Sequence, residues 1–363
     1  MEANLQHMLV PSIFVSLPCT VIMVKVVILS LFAFSPETVE ALISTNALTK
    51  WENVKLGSLE VAPIAFGTLN LPDNKQIASQ ILTELPKNTL VDTAELYGPN
   101  KNGEIERLLG SCSLENRFLA TKFAPKPWRI WKRSVLAACQ ASCKRLQTKQ
   151  IDLYQIHFPD PWGTKDEMYW EGLAECYHEG LIQNVGMCNY GPSMIRRAHQ
   201  ALTVERGVPL VSNQINFNLM RYRSSLETKQ VCDDLGIKVL GYHPLGNGVL
   251  TGKYINLEKQ AKTTDPFAPG QSKLRRVKWY KKFSSSVIEA VQQVATERNI
   301  SCAQVALNWS LSKGVIPLTG VRTVDQCHDL LGTLKWKLTS EEVNYLDEAS
   351  NVSAEYAMGF QLL

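Results

Sequence analysis

The sequence predicts a (β/α)8 barrel, an α/β fold in a single domain, and three observations lead to it. Short apolar segments alternate with amphipathic helical segments from residue 51 onward, which is the pattern of consecutive β–α units. Eight such strand segments in a chain region of about 250–300 residues match this barrel. The first strand ends in Phe66-Gly67-Thr68 and lacks the G-x-G-x-x-G loop that the alternative, a doubly wound dinucleotide-binding sheet, requires.

The individual elements follow from length and periodicity. The predicted strands are short runs rich in β-branched, aromatic and other apolar residues, namely Val61–Gly67, Thr89–Thr93, Arg117–Lys122, Ile151–His157, Asn184–Cys188, Leu210–Ile215, Ile237–Tyr242 and Val315–Pro317. The predicted helices between them carry apolar residues at helical spacing, namely Lys75–Glu84, Gly103–Leu109, Arg133–Gln147, Lys165–Glu179, Pro192–Leu202, Leu226–Leu235 and Val287–Arg298.

Two segments go beyond a minimal barrel. Lys50–Leu59 alternates polar and apolar residues around a Gly-Ser turn, which predicts an N-terminal hairpin that closes the bottom of the barrel. Asn256–Ser286 is predicted as a long loop after the seventh strand. Two interpretations of its cations stay open, a flap over cofactor phosphates or a solvated face; they are Lys273, Arg275, Arg276, Lys278, Lys281 and Lys282.

The first 50 residues are predicted to be a targeting signal or a membrane anchor, and the barrel to occupy residues 51–363. Met8–Phe34 is apolar apart from Lys25 and small polar residues, long enough to span a bilayer. Read from Met23, the same region has the layout of a cleaved signal, and Ala33–Pro36 resembles a plastid-entry junction. We expect a plastid location, with cytoplasmic or membrane-anchored as alternatives, and membrane contact only through residues 8–34.

Charge and cysteine content exclude several classes. The net charge is only +4, and the basic residues are interspersed with acidic ones, so the sequence does not predict a basic surface for nucleic acid. The nine cysteines are scattered without a CxxC pair, which predicts free thiols, with neither a disulfide framework nor a metal site. The oligomeric state is left open by the sequence.

Four polar residues lie at or just after successive predicted strand ends. Asp92 ends the second strand, Tyr97 follows five residues later, Lys122 ends the third strand and His157 ends the fourth. In a barrel the carboxyl ends of the strands meet at one rim, where reactive side chains gather. We therefore expect a carboxylate, a phenol, an ammonium and an imidazole to lie together.

This combination suits the reduction of a carbonyl. Hydride addition leaves an alkoxide that needs a proton, and a tyrosine with an ordinary pKa of about 10 is a weak donor at neutral pH. An adjacent ammonium such as Lys122 stabilises phenolate and is expected to lower the pKa of Tyr97. Asp92 would hold that ammonium, and His157 would hydrogen-bond the carbonyl or share the proton.

The chain resembles the aldo-keto reductase family from about Trp51 to Ala349, and in particular its plant chloroplast branch. The motifs that carry the resemblance include DTAELYG at 92–98, IDLYQIH at 151–157, VGMCNY at 185–190, YHPLGNGVLTGKY at 242–254, TKFAPKPWR from 121 and HFPDPWG from 157. The resemblance implies NADPH-dependent reduction of aldehydes and ketones. It also places the family's catalytic tetrad on Asp92, Tyr97, Lys122 and His157, with Tyr97 as the proton donor.

The same resemblance implies a site for NADP(H). The residues onto which it falls are Gly67, Thr68, Cys188, Asn189, Gln214, Tyr242, Pro244, Leu245, Gly248, Leu250, Gly320, Arg322 and Gln326. Arg322 matches the cation near the adenosine 2′-phosphate, which favours NADPH over NADH. The chain departs from the family pattern at Cys188, where a serine is usual, and at Asp329-Leu330, where Glu-Asn is usual.

Two questions stay open at this point. Trp128, Trp131 and Trp162 follow the third and fourth strands, where they line a substrate pocket or simply pack. The alternative function is an NADPH-binding sensor or a channel-regulatory subunit with little turnover. The residues do not dictate a particular carbonyl substrate.

Overall fold

The computed structural model describes residues 51–253 and 286–357, and eight of its strands form a closed barrel. The strands in chain order are β1 (Val54–Leu56), β2 (Leu59–Val61), β3 (Ala65–Gly67), β4 (Leu90–Asp92), β5 (Phe118–Phe123), β6 (Leu153–Ile156), β7 (Val185–Cys188), β8 (Leu210–Asn216), β9 (Lys238–Tyr242) and β10 (Ile316–Thr319). Strands β3 to β9 pair in parallel in chain order, and β10 closes the ring between β9 and β3. The predicted fold class is confirmed.

Helices surround the barrel between its strands. Those described are α1 (Lys75–Glu84), α2 (Glu104–Gly110), α3 (Arg133–Leu146), α4 (Asp166–His178), α5 (Pro192–His199), α6 (Tyr222–Asp234), α7 (residues 286–298), α8 (Cys302–Ser312), α9 (Val324–Leu331) and α10 (Ser340–Ala357). A π-helical turn at Gln200–Val204 extends α5, and 3₁₀ turns lie at Gly246–Thr251 and Gly332–Lys335.

The strand register brings the candidate site residues to one level. Asp92 on β4 pairs with Ala120 on β5, and Lys122 on β5 pairs with Gln155 on β6. Because side chains alternate between the two faces of a strand, Asp92, Lys122 and Gln155 share the interior face near the carboxyl ends of their strands. The ends of β4, β5 and β6 therefore deliver polar groups to one rim of the barrel.

The hairpin β1–β2 closes the opposite end of the barrel. Its buried residues Leu56, Leu59 and Val61 belong to one apolar cluster with Leu90, Leu153 and Ile316, which lie at the starts of their strands. The turn is held by Asn184, whose Oδ1 accepts the backbone N–H of Ser58 at 3.1 Å. Gly57 has φ +60° and a Cβ there would lie 2.2 Å from Asn184 Oδ1, so this turn requires glycine.

A larger apolar core lies between the barrel and its helices. Trp170 on α4 and Trp309 on α8 are almost fully buried, and Phe217 stacks on Trp309 with ring centroids 5.4 Å apart. Such rings remove large apolar areas from water, which is the main favourable contribution to folding. This packing fixes the helices that carry the site's supporting loops.

The structure corrects several predicted boundaries. The predicted strand Val61–Gly67 is divided, because Val61 pairs with Val54 in the hairpin and the barrel strand begins only at Ala65. Pro63 lies in the break and has no N–H to donate to a strand ladder. Helix α6 begins at Tyr222, four residues before the predicted Leu226, and β10 extends to Thr319. Helices α8, α9 and α10 were not among the predicted helices.

Some predictions fall on residues outside the described ranges. The predicted leader or anchor in residues 1–50 lies there, as does the loop Asn256–Ser286 except for its last residue. Within residues 51–253 and 286–357, none of the helices combines the length and apolar character needed to cross a bilayer.

Candidate active site

A buried ion pair between Asp92 and Lys122 lies at the base of the site. Both side chains have no exposed surface, and Lys122 Nζ bonds to Asp92 Oδ2 and, at 2.8 Å, to the Thr93 carbonyl oxygen. Burial disfavours the charged form of Lys122, but its neighbours, with Asp92 first among them, together outweigh burial, and the pKa of Lys122 lies above its ordinary value. Lys122 is therefore a fixed positive charge inside the barrel mouth.

Tyr97 shares the ammonium of Lys122. Lys122 Nζ donates to Tyr97 Oη at 3.2 Å and lies 4.9 Å from the centre of the phenol ring. Burial raises the pKa of Tyr97 and Lys122 lowers it, and the net pKa is above the ordinary value. The expectation of a lowered net pKa is therefore wrong, although Lys122 contributes in the predicted direction. Tyr97 is a protonated phenol across the neutral range.

His157 stands beside Tyr97 at the same rim. The two ring centroids are 5.9 Å apart in an edge-to-face arrangement. Burial, and then the charge of Lys122, lower the pKa of His157 to about 3. Its Nδ1 is buried and has no hydrogen-bond partner among the described residues. The imidazole is therefore neutral at physiological pH, and the structure brings all four predicted residues together.

The lowered pKa of His157 predicts a pH-dependent stability difference. As the pH falls below about 6.5, the unfolded chain protonates this histidine while the folded protein does not, which favours unfolding down to about pH 3. Between pH 6 and pH 4 we expect the wild type to lose about 1.4 kcal/mol per pH unit relative to His157→Gln. Urea unfolding of both proteins at several pH values measures this. His178→Gln, at an exposed position on α4, is the control, and equal slopes for all three proteins would contradict the prediction.

A buried amide network, which sequence reasoning missed in part, supports the ion pair from below. Gln155 Nε2 donates to Asp92 Oδ1 at 2.8 Å, and Gln214 Nε2 donates to the same oxygen at 3.1 Å. Gln155 lies on β6, two residues before His157, which directly follows that strand. Because side chains two residues apart face the same side of a strand, this spacing could have predicted that Gln155 faces the site. Both oxygens of Asp92 are thus held by donors, and the carboxylate cannot rotate away from Lys122.

Cys188 lies inside this network. Its buried Sγ donates to Gln155 Oε1 at 3.6 Å, and burial raises the pKa of the thiol. The donor role of a neutral thiol orients the Gln155 amide so that its Nε2 faces Asp92. In this structure the partner of Cys188 is therefore Gln155, below the rim. Its predicted contact with the cofactor stays a prediction.

Asn189 and Tyr242 lie at the rim itself. Tyr242 Oη donates to Asn189 Oδ1 at 2.9 Å, and Asn189 Nδ2 donates to the His157 carbonyl oxygen at 3.2 Å. Asn189 has φ +61°, a left-handed conformation that asparagine tolerates better than most residues. Asn189, Gln214 and Tyr242 therefore place two amides and a phenol beside the tetrad of Asp92, Tyr97, Lys122 and His157. A ring that carries a carboxamide would find hydrogen-bond donors and acceptors there.

Gly67, Thr68 and Gly320 have visible packing roles. Thr68 is buried and donates both its N–H and its Oγ1 hydroxyl to the Asp92 carbonyl oxygen at 3.0 Å. A Cβ on Gly320 would lie 2.7 Å from the Gly67 carbonyl oxygen, so the ends of β3 and β10 approach too closely for a side chain. These contacts explain the residue types, and the predicted cofactor contacts remain predictions.

The segment after β9 forms a compact turn. Pro244 and Leu250 are buried, while Leu245 and Gly248 are partly exposed. Gly246 has φ +55° and Gly248 φ +89°, and the Gly248 N–H donates to the Leu245 carbonyl oxygen at 2.9 Å. The turn exposes backbone at the rim with little side chain in the way, which suits the predicted contact with a pyrophosphate.

Arg322 supplies an exposed positive charge beyond β10. Its backbone N–H donates to Gln326 Oε1 at 2.9 Å, and its guanidinium reaches Asn70 Oδ1 at 3.4 Å. Within the described part of the chain, it forms no ion pair with a carboxylate. An exposed guanidinium that has one hydrogen bond and no carboxylate partner among these residues suits a phosphate. The amides and hydroxyls at the rim, with the Arg322 guanidinium, would suit a phosphorylated dinucleotide such as NADP(H).

The three tryptophans named from the sequence are all exposed. Trp128, Trp131 and Trp162 have 72%, 67% and 60% of their surface accessible, which excludes a core role. Lys126 lies over the Trp128 ring and Lys165 over the Trp162 ring, at 5.7 and 4.9 Å. They lie on the loops after β5 and β6, at the same rim as His157.

Comparison with known proteins agrees with the barrel fold. The model of the aldo/keto reductase family matches residues 63–351. The chain is 36% identical over 332 residues to the chloroplastic pyridoxal reductase of Arabidopsis thaliana, covering 84% of this chain and 87% of that protein. It is 27% identical to an NADP(+) aldo-keto reductase of Schizosaccharomyces pombe, with 84% and 94% covered. The glycerol dehydrogenase structure from Gluconobacter oxydans superimposes with a TM-score of 0.68 at 23% identity, covering 82% and 94%.

Proposed function

The chain belongs to the aldo/keto reductase family, and from that premise we propose that it reduces aldehydes or ketones to alcohols with NADPH, using Tyr97 as the proton donor. The observation that carries the proposal is the hydrogen bond from Lys122 Nζ to Tyr97 Oη, with Lys122 itself paired to buried Asp92. This arrangement gives a protonated phenol, and the adjacent Lys122 ammonium stabilises the phenolate that forms when Tyr97 loses its proton. Carbonyl reduction needs such an acid.

The proton follows a short path. The substrate carbonyl oxygen becomes an alkoxide, and the Tyr97 hydroxyl transfers its proton to that oxygen. The negative charge then rests on the Tyr97 phenolate, 3.2 Å from Lys122 Nζ, and that ammonium stabilises it. Solvent returns the proton to Tyr97 before the next turnover. The raised pKa of Tyr97 keeps the donor loaded at neutral pH.

His157 and Asp92 have separate tasks in this proposal. His157 is neutral, so it offers a ring N–H to the substrate oxygen without competing with Tyr97 as an acid. Asp92 keeps Lys122 charged in a buried place, since an unpaired ammonium there would lose its proton. The amides of Gln155 and Gln214 hold Asp92 in turn.

NADPH, when bound, supplies the hydride. We propose that Asn189, Gln214 and Tyr242 hold its nicotinamide end, and that Arg322 with Gln326 holds its adenosine phosphate end. The support is the exposed guanidinium of Arg322, which forms no ion pair with any described carboxylate, and the rim position of Asn189 and Tyr242. A relative whose name specifies NADP(+) supports the same cofactor.

Replacing Arg322 tests the cofactor preference. Arg322→Gln removes a charge-assisted contact with the 2′-phosphate, so we expect the KM for NADPH to rise about 10- to 100-fold. The KM for NADH, which has no such phosphate, should change by less than about threefold. Arg107→Gln, at an exposed position near the end of α2, is the control. Equal changes for both cofactors would contradict the role given to Arg322.

An NADPH-coupled screen tests the reaction. The purified protein should consume NADPH with 4-nitrobenzaldehyde and with at least one member of a panel of pyridoxal, quinones, sugar aldehydes and lipid-derived aldehydes. Pyridoxal comes first because a 36% identical relative carries the name pyridoxal reductase. Tight NADPH binding without turnover on any carbonyl would overturn the reductase and favour the sensor or regulatory subunit.

We further propose a plastid location. The apolar N-terminal segment and the chloroplastic relative support it. N-terminal sequencing of the native protein from isolated plastids should then find a start close to residue 50. Recovery from membranes with residues 8–34 intact would favour an anchor instead.

A further inference from the structure

Glu95 is a buried carboxylate that the proposed chemistry does not use. It lies between Asp92 and Tyr97 in the turn after β4, and only 7% of its surface is exposed. Its Oε1 accepts the backbone N–H of Ala124 at 2.6 Å. A buried carboxylate is costly unless it is paired and hydrogen-bonded, so the environment of Glu95 calls for an explanation.

Arg129 is the partner of Glu95. Its two terminal nitrogens bond to the two carboxylate oxygens, with Nη2 at 2.8 Å from Oε2. Arg129 Nη1 also donates to the Ala124 carbonyl oxygen at 2.8 Å, and the guanidinium lies 4.7 Å from the Phe123 ring centre. Glu95 and Arg129 thus hold both the N–H and the carbonyl of Ala124, just past the end of β5.

The residues joined by this contact flank the proton-donating pair. Glu95 lies two residues before Tyr97, in a turn closed by the Tyr97 N–H to the Ala94 carbonyl oxygen at 3.0 Å. Ala124 lies two residues after Lys122. The contact therefore ties the segment that carries the phenol to the strand that carries the ammonium.

We propose that Glu95 and Arg129 are positioning residues that set the distance between Tyr97 Oη and Lys122 Nζ. This inference rests on the proposed reductase function. Without Glu95, the turn of Tyr97 keeps its own backbone hydrogen bond but loses its attachment to β5. The phenol then moves away from the cation that stabilises its conjugate base.

A second ion pair offers a matched control. Arg298 on α7 bonds to both oxygens of Glu342 on α10 at 2.6 Å, and both side chains are partly buried. Glu342 Oε2 also accepts a backbone N–H, that of Thr339, at 2.7 Å. This pair repeats the chemistry of Glu95–Arg129 between two helices and touches none of the four central residues. Its loss reports on stability alone.

The experiment compares Glu95→Ala, Glu95→Gln and Glu342→Ala. For Glu95→Ala we expect kcat to fall about 100-fold with KM for the aldehyde changed by less than about threefold, because a displacement near 1 Å has this effect on a reacting group. Glu95→Gln keeps an oxygen for the Ala124 N–H and should recover part of kcat. Glu342→Ala should lower Tm while kcat stays at the wild-type value.

A crystal structure of Glu95→Gln, or of Glu95→Ala if it folds, tests the geometry directly and does not depend on any activity. A separation between Tyr97 Oη and Lys122 Nζ clearly longer than 3.2 Å supports the inference. An unchanged separation, or a kcat loss equal to that of Glu342→Ala, overturns it. A wild type inactive on every carbonyl instead overturns the proposed function and leaves the structural test in force.

Discussion

Replacing Tyr97 with phenylalanine is expected to lower kcat about 1,000-fold while the Kd for NADPH changes by less than about threefold. The substitution removes one oxygen, which carries the proton that we assign to the alkoxide, and leaves the ring in place against His157. Lys122 keeps its bonds to Asp92 and to Thr93, so the ion pair survives. The measurement is steady-state turnover with the best aldehyde of the screen, together with NADPH binding followed by fluorescence.

Tyr345→Phe is the matched control for this substitution. Tyr345 is 40% exposed on α10 and donates to Gln293, so its hydroxyl is also hydrogen-bonded. We expect its loss to leave kcat unchanged. Turnover of Tyr97→Phe within tenfold of the wild type would rule out Tyr97 as the proton donor.

Replacing Asp92 with asparagine is expected to lower the free energy of unfolding by about 3–5 kcal/mol. The substitution leaves the Lys122 ammonium without a counter-charge in a place from which water is excluded. Part of the cost is avoided if Lys122 gives up its proton, and the neutral amine then no longer stabilises the Tyr97 phenolate. Activity is therefore lost together with stability.

Chemical denaturation of Asp92→Asn measures the stability effect. The double variant Asp92→Asn, Lys122→Met removes both charges and should be more stable than the single variant. Asp233→Asn, which breaks the exposed pair with Lys229 on α6, should cost about 0.5 kcal/mol. A cost for Asp92→Asn no larger than that of Asp233→Asn would contradict a buried, charged pair.

The barrel was predictable because its periodicity is local. Helix α1 has the predicted bounds, β4 and β5 differ from prediction by one residue at each end, and β8 by one residue at its carboxyl end. Helix α8 shows the limit of this method. Most of its residues are buried, on every side, so it has no apolar stripe at helical spacing from which to recognise it.

The candidate site was predictable where function places polar residues at strand ends. Asp92, Lys122 and His157 all lie at or next to a strand end. Gln155 lies two residues before His157 on the same side of its strand. Glu95 and Arg129 do not, because their contact joins positions 34 residues apart through a loop. No spacing pattern in the sequence predicts the contact between Glu95 and Arg129.

The sign of the pKa shift of Tyr97 could not be obtained from residue types. Lys122 and burial act in opposite directions on this phenol, and the result depends on how much water the fold excludes. The sequence shows which groups can meet. Whether burial or the charge of Lys122 has the larger effect on the pKa of Tyr97 depends on the packing of the folded protein.

The hairpin at the bottom of the barrel limits how much of the amino-terminal region the barrel can lose without losing stability. Removing β1 would uncover Leu56, Leu59 and Val61 and the strand starts beneath them, at a cost on the order of 5 kcal/mol, comparable with the whole stability of many domains. Trp51 adds a tie, since its N–H donates to the Leu334 carbonyl oxygen at 3.4 Å and Lys337 lies over its ring. If the proposed leader is removed, the cut should therefore lie on the amino-terminal side of Trp51, and we expect a cut only a few residues later to yield a destabilised barrel.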